Sequence, residues 1–153
     1  MFLLQKFLGT YQHSLDEKGR LTIPARFREL LTEGAVIFQG LDRCLMVSTA
    51  AHFEEVYQRL DAQNLALPEA RLLRRQILGT AYPVETDKLG RILVPQSLRA
   101  FIDLKSEAFV VGQGDYFEIW TPELWNEQVT QIQDTEANTK RLATLDLSSH
   151  KNG

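Results

Sequence analysis

The stretch DEKGRLTIP at residues 16–24 returns as DKLGRILVP at residues 87–95. Asp16, Gly19, Arg20 and Pro24 match Asp87, Gly90, Arg91 and Pro95 at one constant offset of 71 residues (16 to 87, 24 to 95). The likeness spreads outward from this anchor. Gly9-Thr10-Tyr11 precedes the first copy as Gly79-Thr80-Ala81-Tyr82 precedes the second. Downstream, Phe27, Leu30 and Leu31 correspond to Leu98, Phe101 and Ile102. After a one-residue slip, VIFQG (36–40) matches AFVVG (108–112), CLMVST (44–49) matches YFEIWT (116–121), and Phe53 falls opposite Trp125. A motif, an apolar pattern, two strand-like runs and a following helix pattern recurring in one order mark a duplicated unit.

Each unit opens with an extended run and a tight turn. Asp at the first turn position can accept bonds from the turn's own backbone, and Gly at the fourth tolerates positive φ. The strand after the turn, Arg20-Leu21-Thr22-Ile23 or Arg91-Ile92-Leu93-Val94, is rich in β-branched and aliphatic residues. Proline ends it and opens a helix with apolar residues at i, i+3 and i+4. Two strands follow at about 35–40 and 44–48, and again at 108–112 and 116–120. Helix starts are expected at Ser48 or Thr49 and at Thr121-Pro122. The first of these helices is expected to bury Phe53, Val56, Tyr57 and Leu60, and the second Trp125, Val129 and Ile132. A Pro-terminated break at 61–68 leads to a linking helix at about 69–78. There Leu72, Leu73 and Ile77 are expected on one side and Arg71, Arg74 and Arg75 on the other. From Thr135 the low periodicity predicts a loosely ordered tail.

So few strands cannot close a core alone. The expectation is a mainly β, α+β fold: one compact barrel formed jointly by both halves, with short helices around it. The expected organisation is a first repeat at 7–53, a helical linker at 54–78, a second repeat at 79–133 and a flexible tail at 134–153.

The bulk numbers fit a globular chain of 153 residues with 44% hydrophobic and 24% charged residues. The net charge of −3 speaks mildly against nucleic acid, but it is uneven. Residues 1–80 carry ten Lys/Arg against nine Asp/Glu; residues 81–153 carry seven against eleven. The acidic excess is carboxy-terminal and leaves room for a local basic face. A single cysteine, Cys44, excludes an internal disulfide and suits a reducing cytosol. The apolar start MFLLQKFL is interrupted by Lys6 and is not read as a signal peptide. No run approaches the ~20 apolar residues of a membrane span.

GTYQHSLDEKGRLTIPARFR followed by ETDKLGRILVPQSLR resembles the MraZ family, whose repeat is similar to the AbrB-like swapped-hairpin DNA-binding unit. The resemblance covers about residues 7–133. It implies a double-split β-barrel of two pseudo-twofold-related repeats and self-assembly into an octamer-like ring. It also implies binding to repeated DNA boxes upstream of the bacterial division and cell-wall gene cluster, with repression or other regulation of that cluster. A cytoplasmic, nucleoid-associated, non-enzymatic protein follows from the same resemblance, with double-stranded DNA as partner and no cofactor, metal, membrane or small-molecule substrate. The second loop departs in having Leu89 where the first has Lys18.

Arg20 and Arg91 are the leading DNA-binding candidates. Arg can hold a phosphate with two donors or read guanine in the major groove, which admits a two-stranded ribbon. The competing reading pairs each arginine with Asp16 or Asp87 across its turn, as stiffening. Lys18 and Lys88 sit on the loops and suit phosphate contact, with solvated lysine as the alternative. Arg26, Arg28 and Arg99, in the short helices after proline, can widen the basic face or lie on a solvated helix side. Arg71, Arg74 and Arg75 form a further basic cluster with the same two readings. Enzymatic readings find little support. His13, His52 and His150 are scattered, and Cys44 with His52 lacks an orienting acid or an oxyanion motif. Gly112-Gln113-Gly114 lacks the rest of a nucleotide fingerprint, and no Cys/His spacing suits zinc. A non-enzymatic interaction module is the alternative function.

Overall fold

A computed structural model describes residues 5–147. The chain forms two compact units, the first ending at Thr121 and the second beginning at Pro122. In the first unit each repeat supplies four strands: β1 (Thr10–Ser14), β2 (Arg20–Thr22), β3 (Ala35–Gln39) and β4 (Leu45–Thr49), then β5 (Tyr82–Val84), β6 (Arg91–Leu93), β7 (Glu107–Gly112) and β8 (Tyr116–Trp120). Short helices α1 (Ala25–Leu30) and α4 (Gln96–Ile102) follow Pro24 and Pro95. Each proline ends its strand and stands as the N-cap residue of its helix. Helices α2 (Ala50–Asp61) and α3 (Pro68–Leu78) complete this unit.

The repeats exchange strands instead of pairing within themselves. A six-stranded sheet runs β1-β7-β8-β4-β3-β5, so each repeat's first strand lies beside the third strand of the other. β2 and β6 form a separate antiparallel ribbon, with Arg20 opposite Leu93, Leu21 opposite Ile92 and Thr22 opposite Arg91. The offset of 71 residues maps this register onto itself. It does the same for the flanking bonds, Ile23 N–H to Gly90 O at 2.9 Å and Val94 N–H to Gly19 O at 2.9 Å.

The fold is therefore mainly β with several helices, as expected, but the ladder does not close into a barrel. β1 and β5 remain as edges. Pro83 sits in β5, where its missing N–H is tolerated at a sheet edge. Nor is the opening pair of each repeat a continuous hairpin ladder. In the first repeat, among the described residues, the Leu15–Leu21 bridge and the Asp16 N–H to Arg20 O bond at 3.0 Å join the two segments, which then diverge to different partners.

The period-2 pattern of the strands explains where the core sits. Leu21, Ile23, Ile92 and Val94 are fully buried, as are Ile37, Leu45, Val47, Val110, Phe117 and Ile119. Phe27 of α1 closes the interior edge-on against Phe7 (ring centroids 5.1 Å) and beside Phe117 (5.2 Å). Each such side chain contributes about 1.5–3 kcal/mol by leaving water. The Gly112–Gly114 stretch belongs to this packing: Phe7 and Gly114 exchange backbone bonds at 2.8 and 2.9 Å. A Cβ on Gly112 would strike the Phe7 backbone.

Thr49 starts α2 by accepting from the His52 amide at 3.1 Å. Of the residues expected to be buried on α2, Leu60 is buried and Phe53, Val56 and Tyr57 are half-buried. The linking helix is rotated from its expected setting. Ala70 and Ile77 face inward with half-buried Arg74 between them, while Leu72 is 62% exposed. Thr80 fixes the end of the linker, accepting from Gln39 N–H at 3.0 Å and donating to Gln76 O at 2.7 Å.

The second unit holds α5 (Pro122–Ile132) and α6 (Thr135–Thr144). α5 starts where expected, but it fully buries none of its residues. Trp125 and Val129 are half-buried and Ile132 is exposed. Loose order was expected from Thr135. Instead α6 forms, because Asp134 accepts from Ala137 N–H at 3.1 Å and caps it. The last six residues, including His150, lie outside the described residues.

Candidate nucleic-acid interface

The β2–β6 ribbon brings the two motif copies side by side. Leu21 and Ile92 point into the core, so alternation sends Arg20, Thr22, Arg91 and Leu93 to the opposite face. Each arginine is gripped by the first residue of its own turn. In the first turn, Asp16 Oδ1 accepts from the Lys18 and Arg20 amides at 3.0 and 2.9 Å, and Oδ2 accepts from Arg20 Nε at 2.6 Å. The second turn repeats the pattern: Asp87 Oδ1 accepts from the Leu89 and Arg91 amides at 2.9 Å each, and Oδ2 from Arg91 Nε at 2.9 Å. Gly19 and Gly90 close the turns with φ of 86° and 78°, a region that favours glycine.

This bonding controls charge. The Arg20 amide, with its guanidinium and the Lys18 amide, holds the Asp16 carboxyl down at about 2. Asp87 is lowered as well, by the Arg91 amide first and then its guanidinium. Both carboxylates stay ionised at neutral pH and fix the arginines in one orientation. Arg20 and Arg91 are thus half-buried and braced, not free at an exposed tip, with side chains 36% and 22% exposed. Among the described residues, no acceptor meets the two terminal nitrogens of Arg20.

The remaining sequence candidates separate. Lys18 and Lys88 are exposed at the turn tips, and Leu89, in the place of Lys18, is 70% exposed. Arg28 and Arg99 are half-buried and reach across to the opposite repeat. A Cβ on Gly19 would lie 2.6 Å from Arg99 Cζ, and one on Gly90 2.6 Å from Arg28 Cζ. Arg99 Nε also donates to Val94 O at 3.0 Å. Arg26 is exposed on α1, two residues before Arg28 and so on a different side of that helix. Lys18, Arg20, Arg28, Lys88, Arg91 and Arg99 gather six cations against Asp16, Glu17 and Asp87, a local excess of +3 in a chain of net −3.

Two of the linker arginines are engaged within the linker region. Arg71 Nη1 donates to Leu65 O and Ala66 O at 2.9 and 3.2 Å. Arg74 lies 3.7 Å from Asp61, an ionic contact too long for a hydrogen bond, which leaves its buried Nη1 without one. The crossing of Arg28 and Arg99 escaped the sequence reading, although their shared offset of 71 residues marks them as equivalent. Cys44 is buried, and burial and then the nearby Glu118 push its thiol well up, away from the thiolate a nucleophile needs. Among the described residues no helix is long and apolar enough to cross a membrane.

Two stretches of the chain, residues 6–76 and 77–146, each match the family described as "MraZ protein, putative antitoxin-like". Relatives named transcriptional regulator MraZ are similar over nearly their whole length. The one from Roseiflexus castenholzii is 42% identical over 141 residues, covering 91% of this chain and 98% of the relative. The one from Thermomicrobium roseum is 41% identical over 140 residues, covering 91% and 99%. The one from Clavibacter michiganensis is 41% identical over 133 residues, covering 87% and 93%.

Proposed function

This chain belongs to the MraZ family, and from that premise we propose that it is a non-enzymatic, sequence-specific DNA-binding transcriptional regulator whose β2–β6 ribbon and flanking turns face the nucleic acid. One observation carries the reading: two arginines, each locked by an aspartate in the same pattern, stand on the outward face of one ribbon. A two-stranded ribbon fits the major groove, and a pre-oriented guanidinium loses little freedom on reaching a guanine edge or a phosphate. Arg20 and Arg91 take the central contacts. Lys18, Lys88 and Arg26 reach phosphates, while Arg28 and Arg99 add positive charge behind them, seated over the turn glycines.

The site is the repeated boxes upstream of the division and cell-wall gene cluster, and the effect there is repression in a cytoplasmic, nucleoid-associated setting. The protein works as an octamer-like ring, in which weak contacts to successive boxes add as avidity. Self-association is supported by an apolar groove of about 490 Å³ between α2 and α3, lined by Val56, Leu60, Leu67 and Leu73. We read the six-stranded sheet and the ribbon, linked by the Leu15–Leu21 bridge, as the family's double-split barrel. A second reading, an oligomeric interaction module, draws on the same groove and on the arginines being already bonded to aspartate.

The test is binding of the purified protein to a duplex from upstream of its own gene, with an unrelated duplex of equal length as control. Preferential binding of the upstream duplex supports the regulator. Equal or absent binding of both leaves the interaction module.

A further inference from the structure

We propose that Arg28 and Arg99 are crossed positioning residues, each holding the DNA-facing turn of the opposite repeat. Arg99, on α4 of the second repeat, lies over Gly19 of the first turn; Arg28, on α1 of the first repeat, lies over Gly90 of the second. Both glycines are buried and have positive φ. A side chain at either position would occupy the seat of a guanidinium, so the bare glycine face is what admits the arginine. The offset of 71 residues that relates the turns also relates the two arginines, so the crossing occurs twice.

The surrounding backbone crosses in the same sense. Gly19 O accepts from Val94 N–H, and Val94 O accepts from Arg99 Nε at 3.0 Å. The first turn, the end of β6 and the start of α4 are thereby one bonded chain. Gly90 O likewise accepts from Ile23 N–H, five residues before Arg28 on α1. The two crossings are not equal. Arg28 Nε is buried with no acceptor among the described residues, so its seat rests on packing and charge. Neither arginine needs to touch DNA for this role. Each acts through the turn beneath it, and removing one disorganises the opposite repeat's Asp-x-x-Gly-Arg loop.

Resting in part on the DNA reading, the inference is tested by two measurements on the full chain. The first is hydrogen exchange without DNA. Arg99→Ala is expected to lose protection at the amides of residues 18–20, with residues 89–91 keeping wild-type rates. Arg28→Ala is expected to do the reverse. Loss confined to each arginine's own repeat, equal loss in both turns, or no loss overturns the proposal. Arg99→Lys, which keeps the stem and charge but not the planar head, shows the same crossed pattern in weaker form and serves if the alanine variant does not fold. The second is the salt dependence of binding to the upstream duplex. A positioning role weakens affinity roughly 10-fold in Arg99→Ala, about the loss of one net hydrogen bond, and by less in Arg28→Ala, while the slope of log K against log salt stays at its wild-type value in both. A slope smaller by about 0.9 for each arginine removed marks direct phosphate contact and contradicts it. Exchange needs no DNA, so failure of the crossed seat and failure of the DNA reading are seen separately.

Discussion

Arg91 of the second repeat reaches the Asp16 carboxylate of the first, Nη1 to Oδ2 at 3.4 Å, while its Nε and Nη2 hold Asp87. Among the described residues Asp16 thus serves both turns and Asp87 only its own. This cross-link breaks the near-twofold arrangement of the two turns.

Asp16→Ala is therefore expected to lower the melting temperature more than Asp87→Ala. It removes the acceptor for two amides and Arg20 and also unties Arg91. Thermal unfolding followed by circular dichroism measures the difference; equal losses, or a larger loss at Asp87, refute the shared role.

Acid should weaken the protein through the same residues. Both carboxyls are lowered in the fold, Asp16 from 3.8 to about 2. The unfolded chain takes up protons first, so their stabilising contribution is complete above about pH 4 and is lost as pH falls toward 2. Melting temperatures between pH 5 and pH 2 should fall less steeply in Asp16→Asn than in wild type. A parallel fall in both proteins assigns the acid sensitivity elsewhere.

Glycine replacements separate strain from crowding. Gly19, Gly90 and Gly114 all have positive φ, but a Cβ on Gly114 would meet open space. Gly114→Ala should cost only the left-handed backbone penalty, about 1–2 kcal/mol. Gly19→Ala and Gly90→Ala should cost more, because Arg99 or Arg28 must leave its seat as well. Urea titration ranks them, and Gly114→Ala as the most damaging of the three is the contrary result.

Glu118 gives an effect of opposite sign. It is half-buried in β8, accepts from Trp120 Nε1 at 2.9 Å, and is raised above 4.5, chiefly by burial and also by Asp42. A carboxyl raised in the fold favours the folded state when protonated, and it destabilises as pH climbs through its folded pKa. Glu118→Gln keeps an acceptor for Trp120 without the charge, so it should raise the melting temperature at pH 8, with the gain shrinking toward pH 4. A gain that is constant across pH contradicts the burial account.

How far the sequence was legible follows from what each signal encodes. The repeat, the strands of each unit and the turn chemistry of Asp16 and Gly19 are local, and local patterns carry them. Which strand pairs with which is not local: Thr10–Ser14 reads the same whether its partner is β2 or, as found, β7. The crossing of Arg28 and Arg99 depends on that exchange and was hidden with it. α6 was missed because its cap, Asp134, precedes a segment with no buried face to give it periodicity. The linker helix was mis-rotated because Arg74 takes an inward position where an aliphatic residue was expected, leaving Leu72 outside.

Contact between the braced arginines of the ribbon and DNA is read in the salt dependence of upstream-duplex binding by wild type, Arg20→Ala and Arg91→Ala, each checked for unchanged oligomer size. Arg20, the more exposed, should matter more; its loss should cost about 1–3 kcal/mol per engaged site if it reads a base, or flatten the salt slope by about 0.9 per phosphate released. Arg91→Ala should weaken binding by less, since Arg91 is less exposed and Leu89 leaves its turn without the Lys18 charge. An Arg20→Ala protein that binds the upstream duplex with wild-type affinity and wild-type slope would contradict the account and leave the Asp16–Arg20 pair as a structural brace alone.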